Sequence, residues 1–148
     1  MVWKPDVTVA TIVEREGRFL LVEEQTERGL LLNQPAGHLE PGESIVAAAV
    51  RETLEETAWE FTPEHLVGVY RWRASHSAVS YLRFAFCGRL GAHHAGRALD
   101  TGIVRALWLS PDQIRAGRDR HRSVLVVRCL EDYLAGKRAP LDLLVDCD

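Results

Sequence analysis

Long apolar segments are missing from this chain. Its longest strictly apolar run, Ile45 to Val50, falls far short of the roughly 20 residues needed to cross a bilayer. The opening residues, Met1-Val-Trp-Lys-Pro-Asp6, lack the apolar core of a secretion signal. A membrane-spanning or exported class is set aside, and a soluble, cytoplasmic protein is expected. Cysteine is scarce too: Cys87, Cys129 and Cys147 are far apart and show no CxxC or Cys/His spacing. A disulfide framework or structural zinc site is therefore not expected, and the three thiols read as reduced and packed. Nor is there an excess of positive charge. The 18 Lys and Arg against 21 Asp and Glu leave a net charge of −3, which argues against a general nucleic-acid surface or stable nucleic-acid binding.

What is present is enough apolar material, 47% of 148 residues, for a single domain over 1–148 with its own core. Val7 to Val13 and Arg18 to Glu23 read as two strands joined in a β-hairpin. Leu30 to Leu32 leads into an irregular stretch, Asn33 to Glu40, shaped by Pro35 and Gly37. Ser44 is a good N-cap for a helix over Ile45 to Thr57. Leu66 to Arg73 and Tyr81 to Leu90 predict a strand pair, and Ile103 to Leu109 a further strand. Ser110-Pro111 marks a helix start, and Ser123 to Ala135 a helix closed by Gly136. Gly91 to Gly102 is a loop of the length that tends to carry function. Trp3 and Trp108 read as packing residues. Strands enclosing a helix, then more strands and terminal helices, suggest a layered α/β or α+β domain.

The acids are not spread evenly. Between Gly37 and Glu60 stand Glu40, Glu43, Glu52, Glu55, Glu56 and Glu60 against the single base Arg51. On a helical wheel with Glu52 at 0°, Glu55 falls at about 300° and Glu56 at about 40°, so three carboxylates share one face. Val46, Val50, Thr53, Leu54 and Thr57 fall at about 100° to 200° and are expected to form the buried stripe, leaving the acids pointing away from it. Two carboxylates about 4 Å apart repel by roughly 4 kcal/mol at an effective dielectric of 20. A solvated acidic face is the plain alternative, but such faces usually interleave Lys or Arg at i+4, and here only Arg51 does so. Several carboxylates together suit hard cations such as magnesium or manganese, which in turn carry phosphates.

Gly37, five residues, Glu43, seven residues, then Arg51-Glu52-Thr53-Leu54-Glu55-Glu56-Thr57-Ala58-Trp59 closely resembles the Nudix box, G-x5-E-x7-R-E-U-x-E-E-x-G-U, where U is aliphatic. Thr53 and Trp59 stand where aliphatics are usual, and Ala58 where the family has glycine. A left-handed Ala58 would cost about 1 kcal/mol, remote from the ligands. The resemblance extends from Val7 to about Asp146, through Val7-Thr-Val-Ala, Val22-Glu-Glu, Asn33-Gln-Pro-Ala-Gly-His-Leu-Glu40 and Pro140-Leu141, to the NudJ-like branch of bacterial Nudix phosphatases. It implies an α/β/α sandwich with a mixed central sheet and a catalytic loop-helix-loop. It also implies that Glu52, Glu55 and Glu56 bind Mg2+, with Mn2+ as a substitute and a backbone carbonyl near Ala36 or Gly37 as a further ligand. By the same resemblance Glu43 is a metal-shell or helix-orienting carboxylate, and Arg51 pairs with a box glutamate.

The general base is placed at Glu55. Relatives often carry an acid just before the strand equivalent to Ile103 to Trp108, where this chain has Gly102, and Asp100 is the candidate substitute, with a solvated loop aspartate as the alternative. Arg71, Arg73 and Arg83 are candidate phosphate contacts, and Tyr70 or Trp72 a stacking surface, against the alternative of solvated and core sheet residues. His38, His93 and His94 lack ligand spacing and read as surface residues. The resemblance implies a phosphoanhydride hydrolase for small molecules, monomeric or homodimeric: nucleoside tri- and diphosphates and thiamine-pathway pyrophosphates. Dinucleotides such as ADP-ribose or diadenosine polyphosphates are the alternative substrates. A silent nucleotide-binding regulator is the alternative of another class, disfavoured because all four box glutamates are kept.

Overall fold

The computed structural model describes residues 2–148. Eight strands and three α-helices follow in the order β1 (Asp6–Ile12), β2 (Glu14–Arg15), β3 (Arg18–Thr26), β4 (Gly29–Asn33), β5 (Ala36–His38), α1 (Ile45–Thr57), β6 (Trp59–Arg73), β7 (Ser80–His93), β8 (Ile103–Leu109), α2 (Pro111–Ala116) and α3 (Leu125–Leu134). One sheet runs β5-β1-β7-β6; in the other, β3 pairs with β2, β4 and β8. The β1–β7 pairing is parallel and the other pairings are antiparallel, so the first sheet is mixed.

That sheet is covered on both sides. Val9, Leu66 and Phe86 pack with Ala48 and Ala49 of α1, while Ile12, Val67, Ala85 and Cys87 meet Leu125, Val126, Cys129 and Leu130 of α3. Each fully buried Val, Leu, Ile or Phe stabilises the fold by roughly 1.5–3 kcal/mol. The result is the α/β/α sandwich that the family resemblance implied. Double coverage also explains why β1 is buried over five successive residues, Thr8 to Ile12, instead of alternating.

The expected hairpin is corrected by that burial. A strand buried on both faces belongs inside a sheet, and β1 lies between β5 and β7. The chain bends after it, and Glu14–Arg15 pairs back onto β3, with the Val13 carbonyl accepting from the Leu20 amide at 3.0 Å. The turn there has positive φ at both Glu16 (52°) and Gly17 (76°), the handedness that joins twisted strands tightly. Two packing expectations also fail, since Trp3 is 67% exposed and Cys147 lies at the surface, while Cys87 and Cys129 are buried. Strand β8 and the Ser110 start of α2 fall where the sequence places them, and β6 and β7 pair as expected but run longer, β6 from Trp59 instead of Leu66 and β7 on to His93, into the expected loop.

Helix α1 begins as expected, with the Ser44 hydroxyl accepting from the Ala47 amide at 3.0 Å. It ends at Ala58, left-handed at φ 63°. Its buried face, however, keeps only Thr53 and Thr57 of the anticipated stripe. Ala48, Ala49, Glu52, Thr53, Glu56 and Thr57 are buried, and Val46, Val50 and Leu54 only half so. The small alanines let the helix approach the sheet closely, and the wheel rotates so that two carboxylates turn inward.

Candidate active site

Gly37 lies on β5, the edge strand beneath α1, and a Cβ there would stand 2.1 Å from Glu52 Cδ. The glutamate occupies the space a side chain would need. One strand position away, the Ala36 amide donates to Glu56 Oε1 at 3.0 Å. The loop after β7 comes back to the same helix end, where the His94 amide donates to the Ala58 carbonyl (2.8 Å) and the Asp100 amide to the Glu55 carbonyl (2.9 Å). These two bonds satisfy carbonyls that the end of α1 leaves free, and the second places Asp100 beside the helix. Carboxylate oxygens of Glu52, Glu55 and Asp100 lie within 4.8 Å of one another.

Arg51 holds this cluster in shape. Its Nη1 donates to Glu52 Oε1 (2.8 Å) and Glu55 Oε1 (2.7 Å), and its Nη2 to the His38 carbonyl (3.0 Å). The opposite edge of the guanidinium grips both oxygens of Glu43, at 2.9 and 2.7 Å. Glu43 Oε1 also accepts from the Glu40 amide, so its acceptors are committed to Arg51 and to the turn. The Arg51 bonds hold the Glu43 carboxyl below its ordinary pKa, and the same bonds raise that of Arg51. Burial acts the other way on the inward acids. It raises Glu52 despite Arg51, and it pushes Glu56 up to about 8, with Glu52, Glu24 and Asp100 adding repulsion. A cluster of this kind gains from a positive partner.

The cluster opens onto a cleft of about 460 Å³. Glu52, Glu56 and Asp100 line one end; Trp72 and Tyr81 line another part, and Arg83, Arg28 and Arg122 also contribute. Arg83 is 5% exposed. Its guanidinium donates to Gln34 Oε1 (3.1 Å), Asn33 Oδ1 (3.2 Å) and the Cys129 sulfur (3.8 Å). Arg122 pairs with Glu24, and Arg28 donates to the Arg122 carbonyl at 3.0 Å. Trp72 and Tyr81 stack with ring centroids 5.6 Å apart at 21°.

A NUDIX domain model matches residues 3–129. The chain belongs to the NUDIX domain family. It is 39% identical over 144 residues to phosphatase NudJ of Escherichia coli K12, covering 97% of this chain and 93% of that protein. A NUDIX hydrolase structure from Nitrosomonas europaea is 53% identical, covers 97% of both chains and superposes with a TM-score of 0.95. A MutT NUDIX hydrolase from Burkholderia pseudomallei, at 16% identity, shares the fold alone, with a TM-score of 0.74 over 88% of this chain and 98% of that one. This Nudix chain is accordingly a hydrolase acting on pyrophosphate linkages of small molecules. Nudix hydrolases work with divalent metal ions, and the acidic cluster is an all-oxygen donor set of the kind hard cations require. No helix of the described residues is long and apolar enough to cross a membrane.

Of the residues singled out in the sequence, the Nudix fold brings together Arg51, Glu52, Glu55, Glu56 and Asp100, with Ala36 and Glu43 beside them. Arg83 reaches the cleft, whereas Arg71 and Arg73 are exposed on β6 and are not among its lining residues. They alternate with Trp72, which does face it. Glu24 lies in the Val22-Glu-Glu stretch of the resemblance, but Arg28 and Arg122 belong to no motif. Arg28 and Arg122 are 94 positions apart, and no local pattern pairs them.

Proposed function

We propose that this chain is a magnesium-dependent cytoplasmic pyrophosphohydrolase acting on nucleoside tri- and diphosphates, with thiamine-pathway pyrimidine and thiamine pyrophosphates as a second substrate group. The observation that carries the reading is the convergence of Glu52, Glu55 and Asp100 oxygens within 4.8 Å, bridged by Arg51. Glu52, Glu55 and Glu56 would hold the ion, with Asp100 and the Ala36 carbonyl as further oxygen donors and manganese as a substitute. Bound there, a divalent cation supplies charge neutralisation to the phosphates and acidifies a coordinated water. Arg51 keeps Glu52 and Glu55 from splaying apart under their mutual repulsion, and Glu43 fixes Arg51 in turn. Glu55, less buried than Glu52 or Glu56, takes the proton of the attacking water. Arg83 meets the phosphate chain, because a guanidinium is a fork that matches phosphate oxygens. A purine or pyrimidine ring finds aromatic surface at Trp72 and Tyr81, which line the same cleft.

The test is magnesium-dependent release of phosphate, scored separately for orthophosphate and pyrophosphate. Turnover of nucleoside di- and triphosphates is expected to fall by about a hundredfold or more in Glu55→Gln and in Glu52→Gln, with thermal unfolding showing an intact fold. Wild-type rates in both variants would sink the reading.

A further inference from the structure

Two arginines from distant parts of the chain meet on one wall of the cleft. Arg28 stands in the tight turn between β3 and β4, where its amide donates to the Thr26 hydroxyl at 3.1 Å and that hydroxyl donates to the Gly29 carbonyl at 2.8 Å. Arg122 lies between α2 and α3 and runs beside β4, its amide donating to the Leu32 carbonyl at 2.8 Å. Strand β4 thus carries one arginine at its start and holds the other near its end. Arg28 Nη2 then reaches the Arg122 carbonyl at 3.0 Å, and both residues line the cleft.

Their charges are met unequally. Arg122 Nη1 pairs with the Glu24 carboxylate. Glu24 stands opposite Ile103 in the β3–β8 register, and the Ile103 amide donates to the Asp100 carbonyl at 3.0 Å. Glu24 therefore lies between the acidic cluster and Arg122, committed to the arginine and orienting the rest of its fork. Arg28 pairs with no carboxylate among the described residues, and its one side-chain partner is the Arg122 carbonyl. A guanidinium has five N–H donors and grips phosphate oxygens two at a time, so most of this fork is open to an anion in the cleft.

We infer that Arg28 and Arg122 form a terminal-phosphate site that favours triphosphates over diphosphates. With two phosphates held at the carboxylate cluster and Arg83, the third reaches the arginine pair, and Arg28 supplies most of the added grip because no carboxylate competes for it. A diphosphate ends short of the pair. The inference rests on the reading that the carboxylate cluster takes a phosphoanhydride.

The test uses the full-length protein with magnesium and two analogues whose P–C–P links resist hydrolysis, methylenediphosphonate and its three-phosphorus homologue. Calorimetry gives the ratio of their affinities. Arg28→Gln is expected to lower the preference for the longer analogue about tenfold, the loss typical of a charge-assisted bond, while Arg28→Lys, which keeps the charge, stays within about threefold of wild type. Arg122 is left in place, because removing it strands Glu24 beside the acidic cluster. Arg73→Gln removes an equal charge outside the cleft and should leave the preference unmoved. The unfolding temperature of Arg28→Gln should shift by only a few degrees; a mere strut would lower it and leave the preference intact. A preference that survives Arg28→Gln, or falls as far in Arg73→Gln, overturns the site, and so does failure of both analogues to bind. Hydrolysis is scored separately, and the KM ratio of nucleoside triphosphate to diphosphate should rise about tenfold in Arg28→Gln. If nothing is hydrolysed yet analogue preference depends on Arg28, the hydrolase reading fails and the phosphate site stands. If hydrolysis is intact and neither ratio moves, the site alone fails.

Discussion

Gly37 has a role that composition alone would assign to any loop glycine. It is needed here because Glu52 fills the volume in which a Cβ would sit, 2.1 Å from the carboxyl carbon. Gly37→Ala is expected to displace that carboxylate while sparing the core, since the atoms that must move are the end of one side chain. Turnover should fall about a hundredfold, the usual consequence of shifting a reacting group by an ångström, while the unfolding temperature moves by only a few degrees. Both quantities are measured on the same preparation. A large loss of stability with activity per folded molecule retained would show that Glu52 is not what Gly37 accommodates. At this scale the acids of the box were legible because motif spacing is a property of the chain. The partners of Arg83 and Arg122 were not, because burial and through-space pairing create them.

At the scale of the element, α1 explains its own departure from the family pattern. Thr53 replaces an aliphatic residue and is fully buried, yet its hydroxyl is satisfied. It donates to the Ala49 carbonyl at 2.8 Å and accepts from Thr11 of β1 at 3.0 Å. The polar pair takes the place of one apolar contact between helix and sheet. Thr53→Val strands the Thr11 hydroxyl in the core and is expected to destabilise by about 1–3 kcal/mol, whereas adding Thr11→Val recovers most of that loss. Denaturant unfolding of the two single variants and the double gives the coupling, and strictly additive losses would refute it. Ala58, the other departure, adopts the left-handed geometry of the usual glycine. The helix stops in the right place despite the methyl group because His94 and Asp100 cap its last carbonyls from the β7–β8 loop.

The molecule as a whole carries a pH dependence away from the cleft. His121 is 8% exposed, and its Nε2 finds no hydrogen-bond partner among the described residues. Burial holds its pKa below the ordinary imidazole value, with Arg118 and Arg120 nearby adding to the effect. The folded state therefore binds this proton less readily than the unfolded chain. Its contribution to stability is present above pH 6.5 and is lost as pH falls through the lowered folded value. Glu56, pushed up to about 8, acts in the opposite sense over the same range, so the contribution is read as a difference: as pH falls below 6.5 the melting temperature of the wild type should drop relative to that of His121→Phe. Equal slopes for the two proteins would count against the assignment. Asp132 acts in a lower window. Burial raises its carboxyl, but bonds from Lys137, Tyr70 and Arg128 outweigh that and leave it lowered. Its share of stability goes only below the ordinary carboxylate range.

The sequence by itself determined the box, the start and end of α1, the β6–β7 pair, strand β8 and the class of chemistry. These follow from spacing, capping and periodicity, all of which act over a few neighbouring residues. Only the tertiary structure decided that β1 lies inside the mixed sheet, that α1 turns Glu52 and Glu56 inward, and that Asp100 joins Glu52 and Glu55. Each depends on which surfaces are covered. The wheel reading treated carboxylates as solvent-facing, but Gly37 on the edge strand and two alanines on the helix opened a space for them. That space exists only once strand and helix are packed together.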